Sequence, residues 1–251
     1  MITIKRKPVA NFGLLGKNID YSFSRHYFTE KFKAEHLNHS YQNFDLPSLS
    51  QFSELISKTP NLKGMNVTIP YKESIIAYLN NLDETAQKIG AVNTIKIAEN
   101  GDLTGFNTDY FGFQKSLEKF LPLKKNKALI LGTGGASKAI AFALSELGFQ
   151  FTFVGRKEKA NTITYESLDG GAIEEHLLIV NCTPLGTFPD VEAFPPIPYK
   201  NITSDHLLFD LIYNPTETEF LKRGKKQGAK TTNGLQMLEF QAEKAWEIWN
   251  S

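Results

Sequence analysis

The sequence has one cysteine, Cys182, among its 251 residues, so no disulfide can form within the chain. The small secreted scaffolds that depend on disulfides are therefore excluded. Apolar runs of membrane-spanning length are also lacking, since such a helix needs about 20 consecutive apolar residues. The opening stretch, MITIKRKPVANFGLLG, is too interrupted by polar residues for a secretion signal. We expect a soluble, cytoplasmic protein with no membrane partner.

Neither sign of charge is in excess, because 28 lysines and arginines face 27 acidic residues. This balance argues against non-specific nucleic-acid binding, so we expect no nucleic-acid partner. The hydrophobic content of 41% is usual for a globular protein, and the length allows one large domain or two ordinary ones. We predict no metal site, and we interpret Cys182 as a small buried apolar residue rather than a catalytic thiol.

Short strands alternate with helices in the first hundred residues. The pattern predicts strands over 12–16 and 65–69, and helices over 46–56 and 71–82. Pro70 is expected to stop the second strand, because proline has no N–H to donate to the ladder. This half therefore reads as an α/β domain.

A hairpin is predicted over residues 93–109, where Asn100-Gly101 suits a two-residue type I′ turn. A turn that tight pairs Glu99 with Asp102 and places Asn93 opposite Thr108. The hairpin would thus bring two distant polar segments into one neighbourhood, next to Asp109.

The second half shows a different alternation after the polar, proline-containing connection 120–127. Strands are predicted over 128–131, 149–154, 177–180 and 206–212, with a helix over 136–147 and a last helix over 235–249. Strands separated by helices indicate a parallel, doubly wound sheet. We place the domain boundary near residue 110.

A glycine turn, LILGTGGASKA, joins the first strand of this half to its helix. Gly132, Gly134 and Gly135 allow a tight turn and let the backbone approach a pyrophosphate at the helix N-terminus. Ser137 occupies the third glycine position of the usual dinucleotide pattern, so the motif is a variant. An ordinary strand-to-helix turn is the alternative.

The next strand ends in VGRKEK, where an NAD site would carry an aspartate or glutamate for the ribose. Arg156 and Lys157 stand there instead. A carboxylate would repel a 2′-phosphate, whereas a guanidinium can hold it with paired hydrogen bonds. The residues therefore favour NADP over NAD, with a solvated basic turn as the alternative.

Polar side chains also gather in the first half. Asn66 and Thr68 lie two apart on a predicted strand and share a face, and Lys72 follows at the start of the predicted helix. Ser22 and Ser24 have the same spacing and would converge if that stretch is extended. Hydroxyls and amides could hold a small polyhydroxylated acid, while a lysine and an aspartate manage one proton.

The sequence resembles the shikimate dehydrogenase family over essentially its whole length. The matching stretches are FGLLGKNIDYSFS, GMNVTIPYKES, IGAVNTI, GFNTDYFGF, LGTGGASKA, VNCTPLG, FDLIYNPTETEFL and NGLQMLEFQAEKAW. The resemblance implies a two-domain α/β enzyme that interconverts shikimate and 3-dehydroshikimate with NADP, in aromatic amino acid and chorismate biosynthesis. It implies a substrate domain of residues 1–109 plus 235–251 and a Rossmann-type NADP domain of residues 110–234, in a monomer or homodimer.

The resemblance also assigns residue roles. Lys72 matches the catalytic lysine and Asp109 its partner. The implied substrate ligands are Ser22, Ser24, Asn66, Thr68, Asn93, Tyr213 and Gln241. The implied cofactor-binding residues are Gly132, Thr133, Gly134, Gly135, Ala136, Arg156, Lys157, Thr183 and Gly234.

Three features depart from the family's pattern. Tyr21 stands where histidine is usual, Arg25 stands where proline is usual, and the segment 158–176 is short. Two other functions stay open: a quinate/shikimate dehydrogenase of relaxed specificity, and a non-catalytic sensor of NADP or a metabolite. Retention of both Lys72 and Asp109 argues against the sensor, because a binder needs no proton-transfer pair.

Overall fold

Two six-stranded sheets, built from separate parts of the chain, organise the protein. The computed structural model describes residues 9–19, 22–158 and 160–251. One unit holds the described residues up to Thr108 together with Ala242–Ser251, and the other holds Asp109–Gln241. This division differs from the predicted boundaries at Asp109 and at residues 235–241. Both belong to the second unit, because Phe113 and Met237 pack in its core.

The first unit carries a mixed sheet in the order β2-β1-β3-β5-β6-β4. β1 pairs in parallel with β2 and β3, whereas β5 pairs antiparallel with β3 and β6. Its elements are β1 (Asn11–Gly16), α1 (Phe23–Ala34), β2 (Ser40–Asp45), a 3₁₀ turn (Leu49–Gln51), α2 (Phe52–Lys58), β3 (Leu62–Val67), a 3₁₀ turn (Ser74–Tyr78), β4 (Asn81–Leu82), α3 (Glu84–Ile89), β5 (Thr94–Ile97) and β6 (Leu103–Phe106).

The second unit carries a sheet whose strand pairs are all parallel, in the order β12-β11-β10-β7-β8-β9. Counted from its own first strand, this is the order 3-2-1-4-5-6 of a doubly wound dinucleotide-binding sheet. Its elements are α4 (Asp109–Leu117), a 3₁₀ turn (Glu118–Phe120), β7 (Lys127–Leu131), α5 (Gly135–Glu146), β8 (Gln150–Gly155), β9 (Thr162–Thr164), α6 (Gly170–Glu175), β10 (Leu178–Asn181), a 3₁₀ turn (Tyr199–Asn201), β11 (Leu207–Asp210), α7 (Glu219–Lys226), β12 (Lys230–Thr232) and α8 (Leu235–Asn250).

The predicted α/β fold class is confirmed, as are the strands of the second half to within a few residues at their ends. The short segment 158–176 still forms a strand, β9, and a helix, α6, although both are brief. Tyr21 and part of this segment, residue 159, lie outside the described residues. Within the described ranges, the helices are too short or too polar to cross a membrane.

An aromatic cluster fills one face of the first sheet beneath α1 and the end of α8. Its buried members include Phe12, Phe28, Tyr41 and Trp249. The Trp249 indole N–H donates to the Ile95 carbonyl at 3.0 Å. A Cβ atom on Gly64 would lie 2.2 Å from that indole nitrogen, so only glycine lets the helix approach the strand.

The predicted helix over 71–82 is wrong. The chain makes only the 3₁₀ turn Ser74–Tyr78 and then the short strand β4. Asn80 bonds instead to β6: its N–H donates to the Leu103 carbonyl at 3.0 Å, and its side-chain Oδ1 accepts from the Leu103 N–H at 2.8 Å. Pairing with a neighbouring strand has overridden the helical spacing of the isoleucines and leucines.

The hairpin is present, but its predicted register is wrong by one residue. Thr94 pairs with Phe106, and the connection spans three residues, Glu99–Gly101. Only Gly101 of the Asn100-Gly101 pair has a positive φ, of 90°, whereas a type I′ turn needs both. The Asn100 side chain accepts from the Asp102 N–H at 3.0 Å, which favours the alternative turn.

Three smaller predictions about the first unit also need correction. The helix predicted over 46–56 begins at Leu49, because the Ser48 side chain caps it. The strand predicted over 65–69 runs over Leu62–Val67 and ends before Pro70. Ser22 is extended, but Ser24 lies inside α1, so the two serines do not share the face of a strand.

Candidate functional site

In the first unit, the segments after β1 and β3 meet at one edge of the sheet. The strands are parallel neighbours, so their carboxyl ends coincide. The Thr68 N–H donates to the Leu15 carbonyl at 2.9 Å, and the Lys17 N–H donates to the Ile69 carbonyl at 3.2 Å. The edge therefore fixes the backbone that carries Thr68 beside the backbone that leads to Ser22.

Lys72 lies in the turn that follows β3, not at the start of a helix. Its carbonyl accepts from the Val92 N–H at 2.7 Å, while the Tyr71 N–H donates to the Thr68 carbonyl at 2.9 Å. The residue is half-buried. These bonds tie the lysine's turn to the segment that carries Asn93, which sequence spacing could not show.

Asn93 and Thr108 interlock in the interior of this unit. The Thr108 N–H donates to Asn93 Oδ1 at 2.6 Å, and Asn93 Nδ2 donates to the Thr108 hydroxyl at 3.0 Å. The two residues are 3% and 0% exposed. The prediction that the hairpin brings these two residues together is confirmed, despite the register, and the residue before Asp109 is held in place.

Asn66 is 3% exposed and its amide is already engaged. Its Nδ2 donates to the Thr94 hydroxyl at 3.2 Å and to the Asn93 carbonyl at 3.3 Å, while its Oδ1 accepts from the Tyr41 hydroxyl at 2.8 Å. Because both amide protons are used, only the second lone pair of Oδ1 is left for a further partner.

The two serines differ in setting. Ser22 precedes α1, is half-buried, and makes no side-chain cap to the helix, although its N–H donates to the Ile19 carbonyl at 3.1 Å. Ser24 is buried within the first turn of α1, at 8% exposure. Its hydroxyl forms a hydrogen bond with the Tyr41 oxygen.

In the second unit, the glycine turn lies at the carboxyl end of β7. Gly132 has a φ of 106°, a conformation that side chains rarely adopt, so glycine is needed there. A Cβ would also make a tight contact, at 3.3 Å, with the Cys182 carbonyl. Gly134 caps α5 without a side chain, and among the described residues, its chain neighbours aside, no atom lies within 4 Å of a Cβ built on it. The turn thus leads into the N-terminus of α5, where the first N–H groups of a helix have no partner within it and where a dinucleotide pyrophosphate binds in sheets of this kind.

Other predicted cofactor residues follow neighbouring strands at the same edge. Arg156 and Lys157 are exposed directly after β8, which pairs with β7 on one side. Thr183 follows β10, which pairs with β7 on the other side. Thr133 lies between Gly132 and Gly134, and Ala136 is the second residue of α5. The parallel sheet thus gathers residues from three separate stretches of the chain, which follow β7, β8 and β10.

The loop that carries Thr183 is held by a buried polar chain. The Thr183 N–H and hydroxyl both donate to Asn181 Oδ1, at 3.0 and 2.7 Å. Asn181 Nδ2 donates to Asp210 Oδ1 at 3.0 Å, and the Thr218 hydroxyl donates to Asp210 Oδ2 at 2.5 Å. Burial raises the pKa of Asp210 to about 6, and the hydrogen bonds from Thr218, Ile212 and Asn181 oppose the rise.

The remaining predicted residues of the second unit are more scattered. Tyr213 is half-buried in the loop after β11. Gly234 follows β12, and a Cβ there would lie 2.1 Å from the Leu211 carbonyl oxygen. Asp109 begins α4 and Gln241 lies within α8; both are 5% exposed. Cys182 is half-buried, and burial raises the pKa of its thiol, with the carboxylates of Asp210 and Asp109 acting in the same direction.

Sequence reasoning missed the polar residues that support these positions: Tyr41, Thr94, Asn181, Asp210 and Thr218. Asn181 and Asp210 did carry a signal, because each is the last residue of a buried apolar strand, where a carboxyl edge begins. Tyr41 carried none, because its partner Asn66 is 25 residues away on a strand that does not pair with its own.

The parallel sheet of order 3-2-1-4-5-6, with a glycine turn after its first strand, defines a Rossmann-type dinucleotide-binding unit. Here it is joined to a second α/β unit with a polar sheet edge.

Comparisons with known proteins specify the family. Residues 14–95 match the model of the shikimate dehydrogenase substrate binding domain. The chain is 41% identical to a shikimate dehydrogenase (NADP(+)) of Methanococcus maripaludis, over 99% of this chain and 94% of that protein. The chain belongs to the shikimate dehydrogenase family.

Solved structures give the same result. The shikimate 5-dehydrogenase of Thermus thermophilus, solved with NADP(H) and shikimate, superposes with a TM-score of 0.85 at 34% identity. That match covers 96% of this chain and 93% of the other. A quinate dehydrogenase of Corynebacterium glutamicum, solved with NAD, has a TM-score of 0.86 at 27% identity, covering 96% and 94%. The fold is thus shared by family members with different named substrates.

Proposed function

We propose that the protein catalyses the NADP-dependent, reversible reduction of 3-dehydroshikimate to shikimate, in chorismate and aromatic amino acid biosynthesis. Family membership supports the reaction, and the NADP(+)-dependent relatives support the cofactor. The observation that carries the proposal is the pair of polar edges: Lys72 tied to the Asn93 segment in one unit, and an open glycine turn beside Arg156 in the other.

We assign substrate binding to the first unit and NADP binding to the second. The match of residues 14–95 to a substrate-binding domain supports the first assignment, and the parallel sheet with its glycine turn supports the second. Gly132–Ala136 would hold the pyrophosphate, while Arg156 and Lys157 would hold the 2′-phosphate. Thr183 and Gly234 belong to the same proposed cleft. A cytoplasmic location and a monomeric or homodimeric state stay predictions from the sequence.

In the substrate unit, Ser22 and Ser24 would donate to the substrate carboxylate. Asn66, Thr68 and Asn93 would bind its ring hydroxyls, and Tyr213 and Gln241 are the other two proposed substrate ligands. Both amide protons of Asn66 are engaged within the unit. Its proposed role is therefore to accept a hydrogen bond from a substrate hydroxyl at Oδ1. Neutral donors and acceptors suit this ligand, because they hold one carboxylate and several hydroxyls without burying a second fixed charge.

Lys72 and Asp109 would handle the proton of the reacting hydroxyl. The nicotinamide supplies the hydride chemistry when it is bound. Reduction of the ketone needs a proton delivered to its oxygen, and oxidation of the alcohol needs one removed. A positioned amine can do both, and a carboxylate can orient it.

The proposal is tested by following NADPH absorbance with the purified protein, using shikimate or quinate and NADP or NAD. We expect turnover with shikimate and NADP. Preference for quinate or NAD would instead favour the relaxed-specificity dehydrogenase, and ligand binding without turnover would favour the sensor. Absence of turnover with every pair would overturn the enzyme assignment.

Lys72→Ala tests the catalytic assignment. We expect it to lower kcat by roughly 100-fold or more, in the range that general acid–base catalysis contributes, with a much smaller change in the Kd for shikimate. Lys88→Ala is the matched control, because Lys88 is an exposed lysine on α3 of the same unit. Near-normal turnover by Lys72→Ala would remove its catalytic role.

A further inference from the structure

Tyr41 joins two of the proposed substrate ligands inside the first unit. Its hydroxyl donates to Asn66 Oδ1 at 2.8 Å, and the Ser24 hydroxyl forms a hydrogen bond with the Tyr41 oxygen. Burial raises the pKa of Tyr41 well above its ordinary value, and the bond from Ser24 opposes that rise. The phenol therefore stays protonated throughout the range in which the enzyme would work.

The ring of Tyr41 is fixed by packing, and this fixes the position of its hydroxyl oxygen. Tyr41 is 7% exposed and stacks on Phe28 of α1, with ring centroids 4.7 Å apart and planes 12° apart. Phe28 is fully buried. The phenol oxygen is thereby held between α1, which carries Ser24, and β3, which carries Asn66.

The amide of Asn66 is also fixed. Its Nδ2 donates to the Thr94 hydroxyl and to the Asn93 carbonyl, which leaves Oδ1 as the atom that faces Tyr41. Rotating the amide by half a turn would set its two N–H groups against the phenol donor and place Oδ1 against a backbone carbonyl. The Tyr41 hydroxyl and the Asn93 carbonyl thus define the orientation of the Asn66 amide.

We propose that Tyr41 is a positioning residue that shares its single hydroxyl proton between Asn66 and Ser24, and so couples the carboxylate end of the substrate to its ring hydroxyls. When Ser24 turns its proton toward a carboxylate, its oxygen becomes an acceptor for the Tyr41 hydroxyl. Both lone pairs of Asn66 Oδ1 are then available to substrate hydroxyls, instead of the second lone pair alone. Each contact favours the other, and the inference rests on the roles proposed above for Ser24 and Asn66.

Tyr41→Phe removes the shared proton and keeps the stacked ring. We expect the Kd for shikimate, measured by calorimetry without cofactor, to rise roughly three- to tenfold, the effect of one neutral hydrogen bond. The Kd for NADP should change less than about twofold, because the cofactor has no proposed contact in this network. Tyr27→Phe is the matched control: it also removes a hydroxyl from a ring packed on Phe28, but its hydrogen bond is to Glu243.

A double-mutant cycle with Ser24→Ala distinguishes this inference from the proposed function. If Tyr41 couples the two ligands, the double variant weakens shikimate binding less than the product of the single effects. A normal Kd for Ser24→Ala would overturn the proposed role of Ser24, and the coupling with it. A weakened Ser24→Ala beside a normal Tyr41→Phe, or strictly multiplicative effects, would overturn the coupling alone.

A second measurement keeps the native contacts. 3-Fluorotyrosine placed at position 41 reports the partner of the phenol through its ¹⁹F resonance. We expect saturating shikimate to shift that resonance, because the Tyr41 hydroxyl turns from Asn66 toward Ser24. The resonance of the same label at position 27 should not shift when shikimate is added. An unmoved resonance at position 41 in the saturated protein would refute the proton sharing.

Discussion

Asp210 carries a buried carboxylate whose charge can be removed without changing its shape. The side chain is fully buried and accepts from Asn181, Thr218 and the Ile212 N–H, at 3.0, 2.5 and 3.1 Å. Burial raises its pKa to about 6, against 3.8 for a free carboxyl. We predict that Asp210→Asn removes a distinct pH-dependent part of the free energy of unfolding.

The expected magnitude follows from the two pKa values. About 6 minus 3.8 is about 2 units, which corresponds to roughly 3 kcal/mol. The folded state binds this proton more tightly than the unfolded state, so the ionised carboxylate lowers stability above pH 6. Stability returns as the pH falls through 6, and the return is complete below 3.8. Between pH 8 and pH 5, about 1.5 kcal/mol should return.

The assay is urea unfolding of the wild type and Asp210→Asn by circular dichroism at several pH values from 5 to 8. Because both proteins share every other titrating group, the difference between their unfolding free energies isolates Asp210. Between pH 8 and pH 5 we expect the free energy of unfolding of the wild type to rise by about 1.5 kcal/mol relative to that of the variant. In Thr218→Val the pKa of Asp210 should lie above 6, because one of the hydrogen-bond donors that lowers it is lost. The pH at which the stability begins to change should rise accordingly. A difference that stays flat with pH would refute a buried, ionised Asp210.

Two further predictions concern the aromatic face of the first unit and the phosphate end of the second. Gly64→Ala should lower the free energy of unfolding by roughly 2–3 kcal/mol, because its Cβ would lie 2.2 Å from the Trp249 indole nitrogen. An unchanged Tm would contradict that packing. Arg156→Ala should raise the KM for NADP and leave that for NAD unchanged, since only NADP carries the 2′-phosphate. An unchanged ratio of the two KM values would argue against the contact.

The sequence predicted the second unit well because each of its signals is local. A buried strand such as Leu178–Asn181 is a short apolar run, and a tight strand-to-helix turn such as Gly132–Gly135 needs glycine whatever surrounds it. Parallel strands with intervening helices leave few arrangements of the sheet. The edge at which Arg156 and Thr183 lie therefore follows from the order of elements alone.

The first unit was predicted less well because competing long-range bonds decide its local structure. Asn80 bonds to Leu103 of β6, so the apolar spacing that predicts a helix over 71–82 is not used. The side chain of Asn100 selects a three-residue connection, which shifts the hairpin register by one. The spacing of apolar residues along the sequence reveals neither of these competing bonds.

By itself, then, the sequence determined the chemistry that is available: which hydroxyls, amides, lysine and glycines the chain holds, and the class of sheet behind the glycine turn. Only the tertiary structure decided how those groups are oriented. Tyr41 fixes Asn66, Val92 holds the turn of Lys72, and Asp210 holds Thr183 through Asn181. Except at Asn181 and Thr183, which are neighbours in sequence, these bonds join residues 20 or more positions apart. The direction of a buried hydrogen bond depends on which donor and acceptor the packed fold places together.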